Sequence, residues 1–181
     1  MKILVIRHAE VDFCWSSRCT SKGFDSECRE YDSAPVKEIM YRVPQIGYQR
    51  IYISELSRSR DTAEKLFPAG DYMESGLINE VPLRASADIG KKMPLWFWNI
   101  TGRLQWFINS KRQAEVRDQT RERARQFVAM INNDNSDCAV VTHGFFMHTL
   151  LHELKKAGFR TNMSSAEYKN GEYVIAEKKI V

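Results

Sequence analysis

At 181 residues, with 43% hydrophobic and 28% charged side chains, the chain has the length and balance of one globular domain. It is too polar to be membrane-embedded and too apolar to be disordered. A formal charge of +4 suits a site that receives anions but falls short of the concentrated basicity of a dedicated nucleic-acid binder.

Ile3-Leu4-Val5-Ile6 is a short apolar run that ends abruptly in Arg7 and His8, as a strand buried on both faces does. It is far shorter than the secretory h-region of about 7 to 15 residues, so neither export nor membrane spanning is expected and the expected compartment is the cytosol. The four cysteines, Cys14, Cys19, Cys28 and Cys138, form no C-x-x-C pair, which speaks against a zinc ribbon and for reduced thiols. Residues 14–35 show no sustained period and read as a long loop with at most a turn of helix around Asp25 to Tyr31. Pro35 then stands where it could open a helix.

Ile51-Tyr52-Ile53 gives a second strand, ended by Ser54. Ser57 is a candidate N-cap for a helix over residues 58–67, which Pro68 forbids from continuing. An extended piece is expected over residues 77–81, and a Trp- and Phe-rich helix from Pro94 to about Ser110. Within it Trp96, Ile100, Leu104 and Phe107 share one stripe, expected to pack into the core; a pocket wall, and a partner or membrane surface beside Lys91, Lys92, Lys111 and Arg112, stay open as alternatives, and the expectation taken is no membrane contact. Val116, Ala124, Phe127, Val128 and Ile131 recur at helical spacing opposite a charged face. That face interleaves acids with its arginines and is no nucleic-acid stripe. Cys138-Ala139-Val140-Val141 is a third buried strand, followed by a helix through Leu154 that Gly158 closes, and residues 173–176 could add an edge strand.

Strands that alternate with helices pair in parallel through right-handed crossovers. The expected class is therefore α/β, a three-layer α/β/α sandwich with a mostly parallel central sheet, formed as a single domain over residues 1–181. In such sheets ligands bind beyond the carboxyl ends of the strands. Three of those ends carry Arg7-His8, Ser54 leading to Arg58, and Thr142-His143-Gly144. Two arginines that can each donate a bidentate pair, two histidines and a helix N-terminus suit a phosphoryl dianion.

These residues resemble the signatures of the histidine phosphatase superfamily, the phosphoglycerate mutase-like proteins. Arg7-His8-Ala9-Glu10 looks like its Arg-His-Gly-Glu motif, and residues 54–63 look like its Ser-Pro-Leu-x-Arg segment, with Glu55 in place of the proline. Leu77-Ile78-Asn79-Glu80 is similar to the acid-bearing segment, and Val140-Val141-Thr142-His143-Gly144 to the second histidine motif. Cys14 stands where many members carry a phosphate-contacting asparagine.

The resemblance implies a metal-independent phosphatase without cofactor. In it His8 is the nucleophile, Arg7, Arg58 and His143 hold the phosphoryl group, Glu80 is the proton donor, and Gly144 and Glu10 lie beside the substrate. The implied substrate is a small phosphorylated metabolite or a phosphoprotein. The alternatives are a mutase-type phosphotransferase and a phospho-ligand binding module without turnover. Other readings of single residues stay open: Arg58 pairing with Asp61, Asp88 as the donor, or His148 and His152 sharing a metal.

Overall fold

The computed structural model describes residues 1–44, 47–165 and 167–178. The elements in chain order are β1 (Lys2–Arg7), β2 (Arg18–Cys19), α1 (Ser21–Ser33), β3 (Arg50–Ile53), α2 (Ser57–Leu66), β4 (Tyr72–Glu74), a 3-10 turn (Gly76–Ile78) and β5 (Met93–Pro94). They continue with α3 (Leu95–Phe107), α4 (Arg117–Asp134), β6 (Cys138–Thr142), α5 (Gly144–Lys156), β7 (Arg160–Thr161) and β8 (Tyr173–Glu177).

The main sheet runs β4-β3-β6-β1-β8-β7. β1, β3, β4 and β6 are mutually parallel, with Ile6 opposite Val141 and Ile53 opposite Val141 on its other side. Alternation along these short strands loads both faces. Ile3, Val5, Val140 and Tyr52 join Phe127, Ile131, Phe146 and Leu150 of α4 and α5 in one buried cluster. Leu4, Ile6, Ile51, Ile53 and Val141 join Ala63 and Leu66 of α2 in another. This is the expected three-layer α/β/α arrangement. A third cluster under α1 and α3 is built on Phe24 and the fully buried Trp98, whose Nε1 donates to the carbonyl of Cys19 at 3.1 Å.

Five local expectations are corrected. Residues 21–33 form a helix where a loop was expected: Thr20 caps it by accepting from the Gly23 N–H, and only Ser21 and Phe24 are buried along it, so it carries almost no apolar period. Pro35 opens no helix, and Val36 instead makes an antiparallel bridge with Val11. Residues 76–78 turn as a 3-10 helix rather than extending, with the Ser75 hydroxyl accepting from Leu77. The strand at 173–177 is internal, because β7 pairs on its outer side, and it runs antiparallel to β1.

The fifth correction concerns α3. Its helical period is as read, but the inward face is that of Trp98 and Gly102. A Cβ on Gly102 would lie 2.6 Å from the Leu83 side chain, so glycine is what lets this helix approach the chain at 83–84. Trp96, Ile100, Leu104 and Phe107 are 53–62% exposed, not packed into the core.

Candidate active site

β1, β3 and β6 end side by side, so the residues just past them meet. His8 follows β1, and its backbone N–H donates to the Thr142 carbonyl at 2.9 Å, which locks it beside the end of β6. Its ring is 5.0 Å from that of His143, centroid to centroid. Thr62 ties the same corner to α2: its hydroxyl accepts from the Ala9 N–H at 2.9 Å and donates to the Arg58 carbonyl at 2.6 Å. Ala9 is accommodated where the resembled motif has glycine because its backbone is not in the left-handed region.

The hydrogen bonds fix both imidazole tautomers. His8 Nδ1 lies 2.7 Å from the Ala9 carbonyl and must carry the hydrogen, which leaves a lone pair on Nε2. Arg58 Nε–H is shared at 3.2 Å between that Nε2 and His143 Nδ1. With Nδ1 accepting, His143 Nε2–H donates to Ser54 Oγ at 2.7 Å, and Ser54 in turn donates to Ser59 Oγ at 2.8 Å.

Both rings are kept neutral. Burial, then the Arg58 and Arg7 charges, hold His8 down at about 3, against a weaker upward pull from the Ala9 carbonyl. Burial, followed by His8 and the Arg58 charge, holds His143 well below the usual histidine range. Folding stability should therefore depend on pH. Below about 6.5 the unfolded chain binds protons at these two rings that the folded protein refuses, so stability falls as pH drops from about 6.5 toward about 3 and is unaffected by them above that window. His8 alone contributes a slope of up to about 1.4 kcal/mol per pH unit, and His143 adds in the same direction. Urea melts at neutral and mildly acidic pH check this, a flat or rising midpoint on acidification being the contrary result.

Arg58 is 1% exposed, and its Nη1 donates to Asp32 of α1 at 2.9 Å, not to Asp61. Arg7 donates through Nη1 to the Tyr168 carbonyl, while its buried Nε has no acceptor among the described residues. Such an orphan donor costs roughly 1–3 kcal/mol, which an incoming oxyanion would recover. Gly144 gives the Arg7 guanidinium its room, since a Cβ there would lie 2.8 Å from Nε. Gly144 also opens α5, whose first N–H groups have no partner within the helix. Glu80 approaches the same helix end: its Oε1 accepts from the N–H of Val81 at 2.8 Å and of Phe146 at 3.1 Å.

These groups form the floor and one wall of a cavity of about 1200 Å³. Arg7, Arg58, Glu80 and Gly144 line it together with Tyr31, Arg103 and Tyr168, and the two buried histidines, which do not line it, lie behind Arg58. An anion seated there meets two guanidinium groups and a helix N-terminus, and the His8 lone pair lies behind Arg58. Glu10 is not brought in, because Lys37 pairs with it on the exposed surface. Asp88 is held outside by both terminal nitrogens of Arg112. Cys14 is exposed and apart from the cavity wall. His148 packs on the Tyr168 ring, and among the described residues no group of three or more His, Cys, Asp or Glu is placed to hold a metal ion.

Three contributors had no sequence signal. Asp32 lies on the unforeseen helix α1; Tyr168 offers only a carbonyl. Asn170 Nδ2 donates to the carbonyls of His8 and Ala9 at 3.0 and 3.1 Å and so braces the loop, with nothing in its local sequence to mark it.

A family model described as histidine phosphatase superfamily (branch 1) matches residues 3–178. No curated protein matches the sequence. Among solved structures, a mycobacterial glucosyl-3-phosphoglycerate phosphatase aligns with a TM-score of 0.61 at 17% identity, covering 96% of this chain and 88% of its own. A phosphoserine phosphatase from Entamoeba histolytica, solved with phosphoserine, aligns at 0.56 and 14% identity over 96% and 89%. The alpha-ribazole phosphatase from Shigella flexneri aligns at 0.53 and 15% over 97% and 89%. At these identities the likeness shows a shared fold.

Proposed function

The chain belongs to the histidine phosphatase superfamily, branch 1, and on that premise we propose that it hydrolyses phosphate monoesters without metal, through a phosphohistidine at His8. The observation that carries the reading is the tautomer of His8: Nδ1–H is committed to the Ala9 carbonyl, and the Nε2 lone pair meets Arg58 at the floor of an anion-receiving cavity.

In the first step Nε2 attacks phosphorus in line, the N–P bond forms, and the bond to the ester oxygen breaks. Arg7, Arg58 and the N-terminus of α5 take up the charge on the equatorial oxygens, through positioning and electrostatics, while His143, its Nε2–H committed to Ser54, orients Arg58 through its Nδ1 lone pair. Glu80 acts as the general acid that gives a proton to the departing alkoxide. The N–H groups of Val81 and Phe146 grip Oε1 and so orient the carboxyl, leaving Oε2 to carry the proton. In the second step Glu80, now a carboxylate, takes a proton from water; the hydroxyl attacks phosphorus, the N–P bond breaks, and His8 is restored with release of phosphate.

The neighbours named above act on small phosphate esters, which favours a small phosphorylated metabolite over a phosphoprotein as substrate. Four free thiols favour the cytosol as the working compartment, and residues 1–181 are read as one phosphatase domain.

The test is hydrolysis of p-nitrophenyl phosphate by purified protein in the presence of a chelator, together with acid-labile, base-stable phosphate label on the protein after a rapid quench. Turnover with label on His8 is expected. Phosphate binding without turnover would make the protein a binding module, and turnover abolished by the chelator would remove the metal-independent mechanism.

A further inference from the structure

Helix α3 carries two adjacent rows of side chains with different surroundings. Leu95, Asn99 and Arg103 line the cavity. One row over, Trp96, Ile100, Leu104 and Phe107, continued by Ile108 at the helix end, stand 53–65% exposed. Five large apolar side chains in one strip on the surface of a small protein mark a contact surface rather than scattered exposure.

The surroundings of the strip are cationic. Lys91 and Lys92 precede the helix, Lys111 follows it, all three are exposed, and none has an ion-pair partner among the described residues. Arg117 packs over the Phe107 ring at 4.6 Å. The nearby carboxylates are already engaged, Asp88 by Arg112 and Asp118 by Asn109 and Arg117. Both ends of an apolar strip thus carry uncompensated positive charge.

We propose that the exposed face of α3 docks the protein on a membrane surface rich in anionic lipid. Thirteen residues make a helix of about 20 Å, too short to span, and no helix among the described residues is long and apolar enough to cross a membrane. It would lie in the interfacial plane, with Trp96, Ile100, Leu104 and Phe107 among the acyl chain ends and the lysine stems reaching back to the headgroups. A second copy of this chain fits the surface less well. Antiparallel pairing of two such helices sets Lys91 and Lys92 against the other copy's Lys111. Five side chains at roughly 100 Å² each also bury on the order of 500 Å² per copy, below the roughly 800 Å² of a stable interface. Docking by this face brings the row of α3 that lines the cavity, Leu95, Asn99 and Arg103, next to the headgroups. The proposal does not depend on turnover at His8.

The test is co-sedimentation of the full chain with vesicles of equimolar phosphatidylcholine and phosphatidylglycerol, against vesicles of phosphatidylcholine alone. Binding to the anionic vesicles is expected, weakened by salt and by omission of the anionic lipid, with a blue shift of tryptophan fluorescence. The triple variant Trp96→Ser, Ile100→Ser, Leu104→Ser changes only exposed positions and should melt as the native protein does, yet bind at least about tenfold more weakly. Three results overturn the proposal: native protein left in the supernatant with anionic vesicles, equal binding by the triple variant, or a dimer in light scattering that the triple variant abolishes while vesicles go unbound.

Discussion

His8→Ala is expected to reduce phosphomonoester turnover by at least about 10⁴-fold while leaving a folded protein, because the covalent route loses its nucleophile and water must attack the ester directly. That loss corresponds to about 5.5 kcal/mol of barrier, more than any other single group in the site should command. The variant should still bind phosphate, since Arg7, Arg58 and the α5 N-terminus remain. A second readout comes from stability. Native His8 sits at about 3 because it is buried, so removing it should flatten the acid decline in folding stability by up to about 1.4 kcal/mol per pH unit. Steady-state assays with circular dichroism, and urea melts across the acid range, measure the two effects. A His8→Ala protein within about tenfold of native activity would sink the covalent mechanism.

The strands that place His8 and His143 were legible because a run of apolar β-branched residues stopped by charge has few other solutions: residues 3–6, 51–53 and 138–141 all lie inside observed strands. Their parallel pairing follows from the helices between them, and with it the convergence of Arg7, His8, Arg58 and His143. What escaped was information held in tertiary contacts. Helix α1 buries little beyond Phe24, which stacks on Trp98, and its Asp32 meets Arg58 only after the chain has folded. The α3 stripe was periodic, but periodicity does not say which of two apolar faces turns inward; the Trp98 and Gly102 face won through close packing on Leu83. Glu10 shows the limit of local motif reading, since a near neighbour of His8 in sequence is captured by Lys37 at the surface.

Arg58→Ala is expected to cost about 10³-fold, mainly in kcat, because the guanidinium is worth most when charge spreads over the phosphoryl oxygens in the transition state. Its Nε–H rests on the His8 lone pair at 3.2 Å, so under the proposed mechanism the bound substrate draws that hydrogen bond to its own oxygens and frees His8 for attack. Lysine cannot replace it, since a point charge lacks the planar fork, and Arg58→Lys should remain at least about 10²-fold impaired. The Arg58→Ala change also reaches His8 itself. The Arg58 charge is, after burial, the largest influence holding His8 down, so its removal should raise the His8 value above about 3. Burial persists, so the value should stay below the usual 6.5. Nuclear magnetic resonance titration of the histidine rings reads this shift independently of turnover. An upward move with a large loss in kcat assigns Arg58 both roles; an unmoved His8 with near-native kcat would leave the arginine as a structural tie to Asp32.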